Sequence, residues 1–285
     1  MKYLIMTHKA SNSIFNILRR LICVPKCASC DERLMPFAKG DALDHGYPCL
    51  CDKCMGKWQT ACSQMCHVCS NTAAECSCMP RKKTFTQPYI PSLFFYHPDT
   101  EKTESKVIYS LKHKRNTDLF EFISLELSQK IEALIAELEI DSGECIVTYI
   151  PRTRRALVKN GFDQGELLCR SVAARLGIPH ANLFVREGGA EQKKLSRAAR
   201  KRNADRAIYA NTELKRVKGF DYAKNIGELI GDKTVIIIED VITTGATVER
   251  AIRCLKNAGA GRVLVCAVAR SEISTDKKKR SEKKS

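Results

Sequence analysis

Eleven of the chain's 15 cysteines fall between Cys23 and Cys78. Eight of those form close pairs: Cys27-Ala-Ser-Cys30, Cys51-Asp-Lys-Cys54, Cys66-His-Val-Cys69 and the tighter Cys76-Ser-Cys78. A C-x-x-C pair brings two thiolates within reach of one tetrahedral zinc ion. A disulfide framework is the rival chemistry, and the N-terminal sequence speaks against it. The first 25 residues carry Lys2, His8, Lys9, Arg19 and Arg20 and lack an apolar stretch followed by a small-residue cleavage site. The chain is therefore read as cytoplasmic, with reduced thiols. The four pairs then predict two structural Zn2+ sites, with Cys27, Cys30, Cys51, Cys54, Cys66, Cys69, Cys76 and Cys78 as ligands. Sequential pairing is the simplest arrangement, and an interleaved one stays open. Cys23, Cys49 and Cys62 are either spare thiols or substitute ligands. Cys145, Cys169, Cys254 and Cys266 lie in apolar surroundings and read as small buried hydrophobes.

A second constellation lies near the C-terminus. The run Val235 to Thr247 reads as an apolar β-branched strand ending in Glu239 and Asp240, then a loop of small and hydroxyl residues, then a helix start. Open α/β sheets bind ligands at the carboxyl ends of their strands. The amides of such a loop and the helix dipole suit a phosphate. Thr243, Thr244 and Thr247 add hydroxyls, and Gly245 permits close backbone approach. Two carboxylates beside a phosphate cradle could grip sugar hydroxyls, so the segment reads as a sugar-phosphate site. The plain alternative is an ordinary strand–loop–helix turn with a polar rim.

These residues need a scaffold, and the rest of the chain supplies its outline. At 285 residues it is long for one average domain and short for three. No apolar run is long enough to span a membrane. Ile14, Ile17, Leu18, Leu21 and Ile22 mark a short amphipathic helix over 12–22, suited to packing on its neighbours, with a membrane-surface role as the alternative. The pattern predicts a strand at 93–96 and helices at 104–112 and from Asp118, where a capping box with Glu121 opens a helix to about Leu138. It continues with a strand at 146–150, a helix at 163–176 and strands at 183–185 and 234–238. A helix at 247–258 and a strand at 263–269 close it. Strands alternating with helices mean an α/β fold: a parallel sheet flanked by helices, behind a small N-terminal double zinc ribbon. The expected domains are the helix within 1–22, the zinc module over 23–80, a linker over 81–92, the sheet domain over 93–270 and a basic tail over 271–285. Beyond the cysteine pairs no internal repeat is visible.

Net charge is +16. It is densest between Lys193 and Arg206 and in the tail, at Lys277, Lys278, Lys279, Arg280, Lys283 and Lys284. Such segments either stay solvated or attract polyanions.

The run Ile237 to Thr247 resembles the phosphoribosyl pyrophosphate (PRPP) motif of type I phosphoribosyltransferases. The resemblance implies that Glu239 and Asp240 hold the ribose hydroxyls, and that Thr243, Thr244, Gly245, Ala246 and Thr247 hold the 5′-phosphate. It also implies Mg2+ as the companion of PRPP, pyrophosphate binding by Arg152, Arg154 and Arg155, and a flexible loop whose Lys193, Lys194, Arg197, Arg200 and Arg202 close over the ligand. A solvated basic loop is the alternative for that last cluster. No residue stands out as a general base. The cysteine pairs together with Leu111-Lys112-His113, Ile150-Pro151, Gly161-Phe162-Asp163-Gln164 and Leu195-Ser196-Arg197 resemble the ComF family, which joins a double zinc ribbon to a phosphoribosyltransferase domain and is associated with DNA uptake. Asn160, Asp163 and Glu239 stand where that family's pattern has Arg, Asn and Asp. Three functions stay open: transfer of phosphoribose to an acceptor, PRPP sensing without turnover, and handling of single-stranded DNA or contact with the DNA-uptake machinery. Oligomeric state is likewise open.

Overall fold

The computed structural model describes residues 24–34, 49–78, 85–97, 101–186, 208–211 and 225–272. The helix expected over 12–22, Cys23, the basic stretch with Lys193, Lys194, Arg197, Arg200 and Arg202, and the tail from 273 lie outside the described residues. In chain order the elements are α1 (Asp52–Cys62), β1 (Ser92–Phe95), α2 (Thr103–His113), α3 (Thr117–Glu137), β2 (Cys145–Tyr149), α4 (Arg154–Asn160), α5 (Gln164–Leu176), β3 (Phe184–Arg186), β4 (Ile208–Ala210), α6 (Ile226–Ile230), β5 (Thr234–Ile242), α7 (Ala246–Asn257) and β6 (Arg262–Arg270).

Four strands form an all-parallel sheet in the order β1-β6-β5-β2. Both of its faces are covered, which is why its strands read as unbroken apolar runs. Side chains alternate across the sheet with period two. Ile236, Ile238, Leu264, Cys266 and Val268 pack with Leu127 and Ile131 of α3 and Leu168 and Val172 of α5. Val235, Ile237, Val263 and Val265 pack with Leu229 of α6 and with Val248, Ala251, Ile252 and Leu255 of α7. Those four α7 residues follow the i, i+3, i+4, i+7 spacing of one helical stripe. Burying each of the Val, Ile and Leu side chains among them contributes roughly 1.5–3 kcal/mol. No helix among the described residues is long and apolar enough to cross a membrane.

Several local expectations change. β5 does not stop before the acids: Glu239, Val241 and Ile242 still pair with Ala267, Ala269 and Arg270 of the equally long β6. Asn116, not Asp118, caps α3, because its side chain accepts from the Leu119 N–H at 3.2 Å. Residues 154–160, to which the pattern assigns no element, form the short helix α4. Thr153 caps it, accepting from the Ala156 N–H, and Gly161 at φ 73° ends it. The strand expected at 183–185 forms one residue later and outside the parallel sheet, paired antiparallel with β4. Cys145, Cys169 and Cys266 are fully buried, as expected of small hydrophobes, whereas Cys254 is half-buried.

The segment before β1, read as linker, lies along the sheet where it is described. Gln87 is buried, and its side-chain amide pairs with the Val265 backbone. Nε2 donates to the Val265 carbonyl at 2.8 Å, and the Val265 N–H donates to Oε1 at 2.6 Å. The amide continues the edge that β1 leaves, since β1 begins to pair with β6 only at Ala267. Gln87→Leu leaves that buried N–H and C=O without partners. A loss of about 1–3 kcal/mol for each is expected in urea unfolding; an unchanged midpoint contradicts the role.

Candidate functional site

The C-terminal edge of the sheet carries the second constellation. α7 begins at Gly245, which adopts a left-handed φ of 67° and offers no side-chain cap. The first backbone bond of the helix runs from the Glu249 N–H to the Gly245 carbonyl at 2.9 Å. The amides of Ala246, Thr247 and Val248 therefore have no partner within the helix. The α3, α4, α5 and α6 N-termini, in contrast, are capped by Asn116, Thr153, Asp163 and Asn225. Thr244 Oγ1 sits 3.5 Å from the Ala246 nitrogen, too far for a good cap. A cavity of about 200 Å³ opens here, lined by Glu239, Arg186 and the 243–247 loop. The expected phosphate-loop residues Thr243, Thr244, Gly245, Ala246 and Thr247 thus share one hollow.

The two acids part company because they are adjacent in a strand. Glu239 faces the cavity. Burial and the neighbouring Asp240 carboxylate push its carboxyl well above the ordinary range, and the charge of Arg186 opposes this only in part. Arg186 donates to the Pro151 carbonyl through Nη1 at 3.3 Å, while its Nε is buried without a partner. Asp240 is buried on the opposite face. Its Oδ2 accepts from Gln164 Nε2 at 2.8 Å and lies 3.5 Å from Lys112 Nζ, and its Oδ1 accepts from the Val241 N–H at 2.6 Å.

A polar network continues from Asp240. Arg152 donates to Gln164 Oε1 through Nε and to the Lys112 carbonyl through Nη2 at 2.5 Å. Its guanidinium lies 5.4 Å over the Phe162 ring. Burial lowers its pKa, against the pull of Asp163 and Asp240. Asp163 accepts from the Arg152 N–H at 2.7 Å and caps α5. Of the three expected pyrophosphate cations, Arg152 spends Nε and Nη2 on the protein, while its Nη1 is buried without a partner. Arg154 and Arg155 lie exposed in the first turn of α4. Lys112, Gln164 and Arg186 carry no role in the sequence reading. The first two lie in motifs that the chain displays, while Arg186 has no local signature at all.

The N-terminal cysteines gather sequentially. Cys27, Cys30, Cys51 and Cys54 form one cluster and Cys66, Cys69, Cys76 and Cys78 the other, with the sulfurs of each within 4.8 Å of one another. Sulfur separations of 3.7 Å for Cys30–Cys51 and 3.5 Å for Cys69–Cys76 exclude disulfides between them. They sit near the edge of a tetrahedron with zinc–sulfur bonds, about 3.8 Å. Each cluster opens with the same turn. Lys26 bridges Arg33 and, thirty-nine residues later, Met65 bridges Thr72. Asp31 and Ser70 take matching positive φ values of 60° and 56°. This repeated knuckle goes beyond the repeated cysteines. Cys49 and Cys62 belong to neither cluster, and burial pushes the Cys62 thiol up to about 12.

A model of the phosphoribosyl transferase domain matches residues 164–285. The DNA utilization protein YhgH of Salmonella typhimurium is 27% identical over 169 residues, covering 59% of this chain and 67% of that protein. Its Salmonella typhi counterpart matches to the same extent. Among solved structures, the chain is similar to glutamine PRPP amidotransferase from B. subtilis, at 15% identity and a TM-score of 0.33 over 56% of this chain and 30% of that one. It is also similar to purine phosphoribosyltransferase from Pyrococcus horikoshii, at 17% identity and a TM-score of 0.30 over 55% and 78%. The chain thus spans less than a third of the amidotransferase. The fold assignment rests on the family match and the parallel sheet. Residues 164–285 thus carry a phosphoribosyl transferase domain on the parallel sheet, and two four-cysteine knuckles that fit a double zinc ribbon precede it.

Proposed function

We propose that the chain binds PRPP with Mg2+ at the C-terminal edge of the sheet. The observation that carries this reading is the uncapped, glycine-opened start of α7 facing a hollow that Glu239 lines, with Asp240 next to it in β5. The amides of 246–248 and the helix dipole would take the 5′-phosphate, with the 243–247 hydroxyls around it. Glu239 and Asp240 would take the ribose hydroxyls, and the unpartnered Nε of Arg186 adds positive charge at the rim. Mg2+ suits the carboxylate and phosphate oxygens gathered here and, when bound, would neutralise the diphosphate. The chemistry open to such a site is displacement at the anomeric carbon with pyrophosphate leaving, through an oxocarbenium-like transition state. Among the described residues lining the hollow there is no histidine or cysteine. Transfer would therefore rest on stabilising the leaving group rather than on a strong base.

The two cysteine clusters would hold structural Zn2+, which suits a reducing, cytoplasmic setting. A second reading, DNA handling, has its own observation besides the name of the Salmonella relatives. Tyr109 is 60% exposed and its ring lies 4.5 Å from that of His113. His113 contacts Asn160 at 2.8 Å, which brings the end of α2 beside α4 with its exposed Arg154, Arg155 and Lys159. An aromatic platform beside cations is the pattern that takes single-stranded nucleic acid.

Asp240→Ala should weaken Mg2+–PRPP binding about 10- to 100-fold in calorimetry, the worth of one or two charge-assisted hydrogen bonds; unchanged affinity removes the site. Glu239 supplies a pH test. Its pKa is raised in the folded chain, so ionising it costs stability. That cost is absent below the unfolded-state pKa and complete above the folded-state value. Glu239→Gln should therefore raise the melting temperature of the free protein at about pH 8, with a gain that shrinks toward about pH 5. A lower melting temperature at the higher pH is the opposite sign. For DNA, Tyr109→Ala should cost roughly 1–3 kcal/mol of single-strand affinity and Arg154→Ala should flatten its salt dependence. If neither changes, this face is not the contact.

A further inference from the structure

The PRPP reading calls for cations at the diphosphate beyond the buried, unpartnered guanidinium nitrogens of Arg152 and Arg186. Arg152 spends Nε and Nη2 on Gln164 and the Lys112 carbonyl and keeps only Nη1 unpartnered, and Arg154 and Arg155 lie on the outside of α4. PRPP carries its diphosphate on the ribose carbon next to the one bearing the 2′-hydroxyl. A cation beside the carboxylate that holds the ribose hydroxyls is therefore beside the diphosphate too. Lys112 is in that place, with its ammonium 3.5 Å from Asp240 Oδ2. Its side chain is 35% exposed while that of Asp240 is 8% exposed, so the ammonium reaches inward from a partly open position.

The backbone at Lys112 is fixed and the side chain is free to swing. Arg152 holds its carbonyl at 2.5 Å. Two residues earlier, Ser110 Oγ donates to the Ala28 carbonyl at 2.5 Å, and two residues later Lys114 pairs with Asp31 at 2.7 Å. Both partners belong to the first cysteine knuckle, which thereby anchors the end of α2. The four-carbon stem of a lysine allows its ammonium to move by several ångströms on such an anchor. Asp240 does not depend on Lys112 alone, since Gln164 and the Val241 N–H also donate to it.

We propose that Lys112 is a diphosphate-binding residue: it is the counter-ion of Asp240 in the free chain and passes to the diphosphate when the ribose takes the carboxylate. The inference rests on the PRPP reading, and two ligands separate the two. Mg2+–PRPP and ribose 5-phosphate share the sugar and the 5′-phosphate, and only the first carries the diphosphate. Calorimetry on the zinc-loaded full chain should show that Lys112→Met weakens PRPP about tenfold or more, the worth of one charge-assisted contact. Ribose 5-phosphate should bind the variant as well as the wild type or better, because Asp240 no longer has a counter-ion to release. Lys112→Arg should recover most of the PRPP affinity. Lys112→Gln serves the same comparison if the Met variant does not fold. Equal losses for both ligands would make Lys112 a prop for Asp240 and overturn the proposal, as would no loss for either. A wild-type chain that binds neither ligand overturns the PRPP reading itself.

Discussion

The structure turns on one buried carboxylate. Asp240 sits near the end of the central strand, and a buried charge is tolerated only when it is paired and hydrogen-bonded. Its partners arrive from three directions: Lys112 from α2, Gln164 from α5 and the backbone of β5 itself. Arg152 ties the first two together, and Asp163 ties Arg152 to the start of α5. The same contacts that neutralise Asp240 therefore set the mutual position of α2, α5 and the loop after β2. Removing one partner leaves the others buried with unmet demand, so site geometry and fold stability are coupled here.

The cysteine clusters extend this frame. A module with so few large apolar residues cannot hold itself by burial, and metal would take the place of a core. It is not a separate bead, however. Trp58 of α1 packs edge-on against Phe94 and Phe122, with ring centres 5.1 and 5.7 Å away, so the first cluster shares the main core. The second cluster meets the carboxyl end of β6. Arg270, the last residue of β6, is buried over Phe95 and donates to the Cys76 and Cys78 carbonyls at 2.8 and 3.3 Å. Its strand partner is Ile242, the residue just before the 243–247 loop. Both knuckles thus brace the edge of the sheet that carries the hollow, one through α2 and the other through β6.

Much of this was legible in the residues. The runs 234–238 and 263–269 announced strands covered on both faces, because only such strands can be apolar without alternation. The cysteine spacing announced which thiols gather, because spacing limits which of them can meet. Other features had no local signature. Arg186 reaches the hollow through a hairpin whose second strand abuts a polar, basic stretch. The separation of Glu239 and Asp240 onto opposite faces follows from β5 continuing to Ile242, which the long pairing with β6 decides. Two of the Arg152 donors go to Gln164 and to the Lys112 carbonyl, which depends on α2 and α5 coming together. Such contacts across long stretches of chain are invisible to spacing.

The central claim is that the open start of α7 receives a phosphate while the acids beside it hold a sugar. A titration of the isotope-labelled, zinc-loaded chain with Mg2+–PRPP, read by nuclear magnetic resonance at the backbone amides of Gly245, Ala246, Thr247 and Val248, tests it most directly. The expected result is saturable downfield shifts at these amides, as phosphate oxygens accept from them, with the amides of β2 and β6 away from this edge unmoved. Amides that stay in place while signals elsewhere saturate would contradict it.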